Sequence, residues 1–222
     1  MLELVQMLEK SNLIRYLPTV ILPAIGDTLE MVLVSAVLSI CLGMMFGIVL
    51  VITADNGLSP HPFFNNILGK ITDIVRSFPM MILIVAIAPI TRFFIGTTIG
   101  VKAAIFAITL GSTPFATRMT ENALNTVDPQ LIKMAKSIGA SNLQIVFKVM
   151  LVEALPALIS NFTIMIINML NTSVGAGGLG AVALSYGYQR FDYMIMYFIV
   201  VILVFLVMLV QGIGNKLYKL TK

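Results

Sequence analysis

The sequence predicts an all-α membrane protein: five transmembrane helices, N-terminus outside, C-terminus inside, and a short cytoplasmic helix between the third and fourth spans. Three observations carry that expectation. The first is composition. Of 222 residues, 59% are hydrophobic and 11% charged, with a mean hydropathy of +1.00. Soluble domains run at roughly 45–50% apolar and about 25% charged, so one soluble core cannot hide this much apolar surface. Disorder is excluded for the same reason.

The second observation is a set of long uncharged stretches. A helix needs about 20 apolar residues to cross a hydrocarbon core some 30 Å thick. Met31–Ala54 is clean and long enough. Ser77–Thr91 is clean but short, and reaches spanning length by continuing past Arg92, whose stem lets its charge reach the interface. Ala103–Thr117 lies between Lys102 and Arg118 as end anchors. Ala154–Leu170 follows Glu153, and Tyr193–Asn215 ends before Lys216. The predicted spans are 29–53, 77–96, 100–118, 151–171 and 193–214. They form a membrane domain over 29–215, preceded by an outer-side segment at 1–28 and followed by a cytoplasmic tail at 216–222.

The third observation is the distribution of cations. Five spans put the termini on opposite sides. With the C-terminus inside, the inner segments hold Lys70, Arg76, Arg118, Lys133, Lys136, Lys148, Lys216, Lys219 and Lys222. The outer ones hold Lys10, Arg15, Arg92, Lys102 and Arg190. An excess of Lys and Arg marks cytoplasmic loops, which favours this orientation. The net charge of +4 is scattered, so it reads as topology and not as nucleic-acid binding.

The first 27 residues carry Glu3, Glu9, Lys10 and Arg15, and their apolar part is broken by Pro18 and Pro23. They lack the basic start, uninterrupted apolar stretch and cleavage site of a signal peptide, and read as a segment at the outer interface. Several chemistries have no residues to run on. Cys41 and His61 are the single cysteine and histidine, so neither a disulfide nor a zinc cluster is available, and no metal site is expected. No Ser/His/Asp set or pair of intramembrane aspartates suggests catalysis. Gly175-Ala-Gly-Gly-Leu-Gly180 matches the dinucleotide fingerprint in form, yet it follows a membrane span and not a strand. It reads as a closely packed outer loop.

The most informative stretch is Thr113–Lys148. Thr113-Pro114 either opens a new helix or kinks the third span. Asp128-Pro129 opens a helix, with the carboxylate as cap and the proline in the first turn. The helix runs to Ile138 and stops at Gly139, a residue suited to positive φ. Leu131, Met134, Ala135 and Ile138 share one face; Lys133, Lys136 and Ser137 share the other. Ser141-Asn-Leu-Gln144 then has the spacing of a capping box for the next helix. Periodicity alone leaves two readings open: a helix resting on the bilayer, or one docking into a partner's groove.

Polar residues within the fourth span are the candidates for a substrate pathway. Asn161, Asn168 and Asn171 fall on one side of a helix, with Met165 and Met169 nearby. Against that stands hydrogen bonding between helices for the asparagines, and core packing for the methionines.

Several pieces together resemble a known family. Glu121-Asn-Ala-Leu, Lys133-Met-Ala-Lys-Ser-Ile-Gly139-Ala-Ser and Ile145-Val-Phe-Lys-Val-Met-Leu-Val-Glu-Ala-Leu-Pro156 resemble the EAA loop of ABC-importer permeases. Nine residues separate Gly139 from Val149-Met-Leu-Val152, as that pattern requires. Gly26-Asp-Thr-Leu, Arg76-Ser-Phe-Pro79, Gly111-Ser-Thr-Pro-Phe-Ala-Thr-Arg-Met and Val174-Gly-Ala-Gly-Gly-Leu-Gly180 resemble flanking pieces. The order is similar to that of the methionine-type importer permeases over about residues 27–215. Lys133 stands where the family has Glu, Met134 where it has Ala and Val152 where it has Pro, and 168–173 is shorter than usual.

The resemblance implies a translocation subunit of the inner membrane, not an enzyme, that works as a homodimer on two ABC ATPase subunits. A solute-binding protein would deliver an amino acid, methionine first among the options, and the ATPases would bind the ATP. No cofactor is expected in this chain, which lacks the Gly-x-x-x-x-Gly-Lys-Ser/Thr phosphate loop. Coupling to the ATPase would fall to Pro129–Ala140. Leu131, Met134, Ala135 and Ile138 would fill its groove, Lys133 and Lys136 would touch its rim, and Gly139 would permit the turn into Ala140. Another amino acid, another small solute, or a membrane assembly role without transport remain as alternatives.

Overall fold

The computed structural model describes residues 11–173 and 176–221, and among these there is no strand. The first helix, α1 (Leu13–Thr53), begins well before position 29. Pro18 and Pro23 were expected to break this stretch. Instead the chain widens into a π-turn over Leu17–Ile21, where the Leu22 N–H bonds to the Leu17 carbonyl five residues back. Each proline removes one backbone bond inside the helix, and the wide turn makes room for a ring that would otherwise crowd the preceding turn.

Helix α2 (Pro62–Ser77) lies in a stretch for which the sequence reading assigned no element. Pro62 occupies the first turn, and Phe63, Phe64, Ile67, Ile71 and Ile74 form an exposed apolar face. Asn65 Nδ2 on the inner side donates to the Leu50 carbonyl at 2.7 Å and to Thr53 Oγ1 at 3.0 Å. The stretch expected as one span at 77–96 is two helices, α3 (Met80–Ala86) and α4 (Ala88–Ile95). The break falls at Ile87. Pro89 has no N–H for the Val85 carbonyl and its ring crowds that carbonyl, so the helix is interrupted for one residue, while the Ile87 N–H still bonds to the Leu83 carbonyl and the Thr91 N–H to the Ile87 carbonyl. Gly96, at φ 83°, closes α4.

Helix α5 (Val101–Leu124) continues past the expected end at 118 and contains Pro114, which therefore does not open a new helix. A short helix α6 (Pro129–Ser137) and a single turn α7 (Asn142–Ile145) follow. A π-turn over Val146–Met150 and a turn at Leu151–Glu153 lead into α8 (Leu155–Ser173), with Pro156 again in the first turn. After α9 (Gly178–Val182), α10 (Tyr193–Thr221) takes in most of the expected tail. Leu13–Thr53, Leu155–Tyr188 and Tyr193–Thr221 are each long and apolar enough to cross a hydrocarbon core.

The chain divides into two compact units. One holds the chain up to Ala36, Met80–Thr109 and Ile166–Val210. Here Thr28 Oγ1 accepts from the Leu179 N–H at 2.9 Å, and a Cβ on Gly178 would collide with that same oxygen. The glycine loop is thus tightly packed as expected, although its residues 174 and 175 lie outside the described ones. The second unit holds Val37–Pro79, Leu110–Met165 and Gln211–Lys222. Its helices approach through small residues: a Cβ on Gly43 or Gly47 of α1 would run into Ala116 or Thr120 of α5.

Candidate functional site

The candidate site is the segment from the end of α5 to α7, within the second unit. The chain leaves α5 through Asn125–Asp128, with the Val127 N–H on the Leu124 carbonyl and the Val127 side chain buried. Asp128 Oδ1 accepts from the Gln130 N–H at 2.8 Å, and Pro129 takes the first helical position. The carboxylate there also suits the positive end of the helix. At the other end, the Gly139 N–H bonds to the Lys136 carbonyl at 3.0 Å and the Ala140 N–H to the Ala135 carbonyl at 3.1 Å. That paired return is the Schellman motif, and Gly139, at φ 83°, supplies its left-handed residue. The capping box also forms: the Gln144 N–H donates to Ser141 Oγ at 3.3 Å, and the Ser141 N–H donates to Gln144 Oε1 at 2.9 Å. Each end of α6 is therefore fixed by backbone-directed bonds.

One side of α6 is glued to its own chain. Ala135, 7% exposed, belongs to a core with Val51, Leu124, Val127, Ile145 and Met150. Ile132 and Ala140 pack at the edge of it. Met134 and Ile138 point outward, 61% and 82% exposed, beside the exposed Lys133 and Ser137. The face predicted from periodicity is thus divided. Ala135 sits inside the protein and Leu131 is half-buried, whereas Met134 and Ile138 are free. The predicted apolar stripe is wider than the contact behind it, so one edge is covered and the other is left bare. Behind the helix lies a cavity of about 250 Å³ lined by Ala54, Leu58, Leu124, Ile132, Lys136 and Met150, among others.

The pathway candidates do not form one cluster. Asn161 Nδ2 donates to the Met119 carbonyl of α5 at 3.0 Å, an interhelical bond in the second unit. Met165 and Met169 are 1% and 2% exposed and serve as core. Asn168 and Asn171 are exposed. Asn161→Leu should therefore cost about 1 kcal/mol of stability, the usual net worth of such a bond, and leave substrate preference unchanged. Thermal unfolding of the purified protein, together with competition uptake assays, checks both parts.

Sequence reasoning missed Arg118, which it treated as an end anchor. The side chain lies within α5 and binds Asp73, Glu121 and the Gly69 carbonyl. An arginine three residues before a glutamate was the available signal, but its partner on α2 was invisible without that helix.

Residues 39–220 match the family described as the inner membrane component of binding-protein-dependent transport systems. The chain belongs to that family. Its members include proteins close to this one in sequence. A protein of Vibrio cholerae named "Probable D-methionine transport system permease protein MetI" is 41% identical over 204 residues, covering 90% of this chain and 91% of that protein. The methionine import system permease protein MetP of Bacillus subtilis is 36% identical over 171 residues, 75% and 77% of the two chains. A solved structure of the MetNI methionine ABC transporter in an inward-facing conformation contains a chain 36% identical to this one. It superposes with a TM-score of 0.87 over 89% of this chain and 94% of that one. As a family member the chain is an inner-membrane component of a binding-protein-dependent transport system, and its helical fold is theirs.

Proposed function

We propose that this chain is the permease subunit of an ATP-driven importer of methionine. Identity of 41% across nine-tenths of the chain to a D-methionine permease carries the substrate assignment. In this reading two copies form the pathway on two ABC ATPase subunits, which bind and hydrolyse the ATP. A solute-binding protein delivers methionine from outside. The chain crosses the membrane five times, with α3 and α4 together making the second crossing, the N-terminus outside and α6 in the cytoplasm. That orientation puts the exposed Lys133 and Lys136 on the inner side, in keeping with the usual bias of cations.

The mechanical part of the reading rests on α6. A helix that passes force must be short, rigid and held at both ends. Asp128 and the Gly139–Gln144 turn supply those ends, and Ala135 roots the helix in the second unit's core. Met134 and Ile138 supply an apolar grip for the ATPase, with Lys133 at its rim. The test is reconstitution of the chain with its ATPase and binding protein in proteoliposomes. Methionine should raise ATP hydrolysis and enter the vesicles, with unlabelled methionine competing. Uptake of another amino acid in preference would reassign the substrate. Failure of any solute to enter would remove the transport reading.

A further inference from the structure

Helix α2 packs on the second unit through Gly69 and Thr72, which are buried. Its outer face is apolar and exposed, and Asn65 anchors its beginning to the end of α1. Past Asn65, a polar hold comes from a side chain on α5. Arg118 Nε donates to Asp73 Oδ1 at 3.1 Å, and Nη2 donates to Asp73 Oδ2 at 2.8 Å and to the Gly69 carbonyl at 3.0 Å. Nη1 binds the Glu121 carboxylate on α5 itself. The fork-on-carboxylate geometry is the strong, directional form of this ion pair, which a lysine's single ammonium cannot reproduce. The cation is the more buried partner, 18% exposed against 53% for the Asp73 side chain. The close approach also needs Gly69, since a Cβ there would meet Arg118 Nη2 at 3.3 Å. Arg76 lies 3.6 Å from the same Asp73 carboxylate, on α2's own side, and so adds no link between the helices.

The position of this clamp suggests its use. Six residues beyond Arg118, α5 ends at Leu124, and four further on Asp128 caps α6. Met119, next to Arg118, receives the bond from Asn161 of α8. Gly43 and Gly47 lock α1 against the same part of α5. The end of α5 nearest α6 is thus the hub of the unit, and α2 is joined to it through a guanidinium.

We propose that Arg118 is a positioning residue for transport: it makes α2 follow α5, so that displacement applied at α6 carries α2 along. The proposal rests on the reading of α6 as the part gripped by the ATPase. Loss of the clamp leaves ATP binding and hydrolysis in the partner intact but lets α2 lag, so energy is spent without a completed crossing.

The test uses the reconstituted importer with Arg118→Met, Arg118→Lys and Asp73→Asn. Uptake per ATP hydrolysed should fall about ten-fold in Arg118→Met and about three-fold in Asp73→Asn, with Arg118→Lys between them, while hydrolysis stays within about two-fold, as expected for loss of a coupling energy. A second readout is independent of transport. Spin labels at Asn66→Cys on α2 and Asn122→Cys on α5, in a Cys41→Ser background, report their separation before and after nucleotide. The distance should stay narrow and constant with Arg118 present, and broaden or shift in Arg118→Met. Wild-type uptake per ATP and an unchanged narrow distance in Arg118→Met and Asp73→Asn would overturn the proposal. So would parallel losses of uptake, hydrolysis and melting temperature, which mean a purely structural role. If Arg118→Met does not fold, Asp73→Asn decides, since it keeps the contacts to Gly69 and Glu121. Should the unmutated complex import nothing, the importer reading fails by itself, and the label distances still judge the clamp.

Discussion

Gly139→Val should abolish most ATP-driven uptake while the protein still inserts in the membrane and binds its partner. The reason is conformational and not steric. Apart from its own chain neighbours, no described atom lies within 4 Å of where a Cβ on Gly139 would sit, so the Cβ itself meets open space. The residue nonetheless has φ 83°, a region costing an L-residue about 1–2 kcal/mol and a β-branched one more. Valine relieves that strain by unwinding the turn, which breaks the bonds from Gly139 and Ala140 back to Lys136 and Ala135. The last turn of α6 then frays, and Ile138 loses its fixed direction. A free-energy penalty of about 1.4 kcal/mol or more means a ten-fold or greater shift toward the frayed state. Uptake per ATP in proteoliposomes should fall by about that factor. Gly139→Asn is the control, because asparagine tolerates left-handed backbone and should keep most of the coupling. Equal losses in the two variants would show that the turn's conformation is not what matters.

Which parts were legible in the sequence follows from the range of the signals. The ends of α6 were readable because caps are local: Asp128, Pro129, Gly139, Ser141 and Gln144 act within four residues of themselves. The apolar spans were readable because composition alone reports burial or lipid. The interruption at Ile87 is hidden by the charge-free stretch around it, because hydropathy does not register the N–H that Pro89 lacks. Helix α2 is too charged to stand out by hydropathy, with Lys70, Asp73 and Arg76 in it, yet Phe63, Ile67, Ile71 and Ile74 keep a helical period. Arg118 is the hardest case. Its partners Gly69 and Asp73 lie 49 and 45 positions away, and such a pairing is decided by packing that no local pattern encodes.

The bare edge of α6 gives the other large effect. Met134→Asp together with Ile138→Asp should abolish association with the ATPase and leave the isolated permease as stable as before. Met134 and Ile138 lie one turn apart and expose most of their surface, so within this chain they have little packing to lose. Burial in a partner's groove is worth about 1.5–3 kcal/mol for each such side chain, and placing carboxylates there adds a desolvation cost. The pair should therefore weaken binding by at least about 3 kcal/mol, more than a hundred-fold. Copurification of the ATPase in detergent and a titration of the two purified components measure this. Ala135→Leu provides the contrast. Ala135 is buried in the core that roots α6, so added bulk there overpacks the site, at a typical cost of about 1–3 kcal/mol. That variant should lower the melting temperature of the permease alone, before any partner is present. If instead Ala135→Leu spares stability and blocks association, the gripping face is the one turned toward the core, and α6 must lift away from it when the ATPase binds.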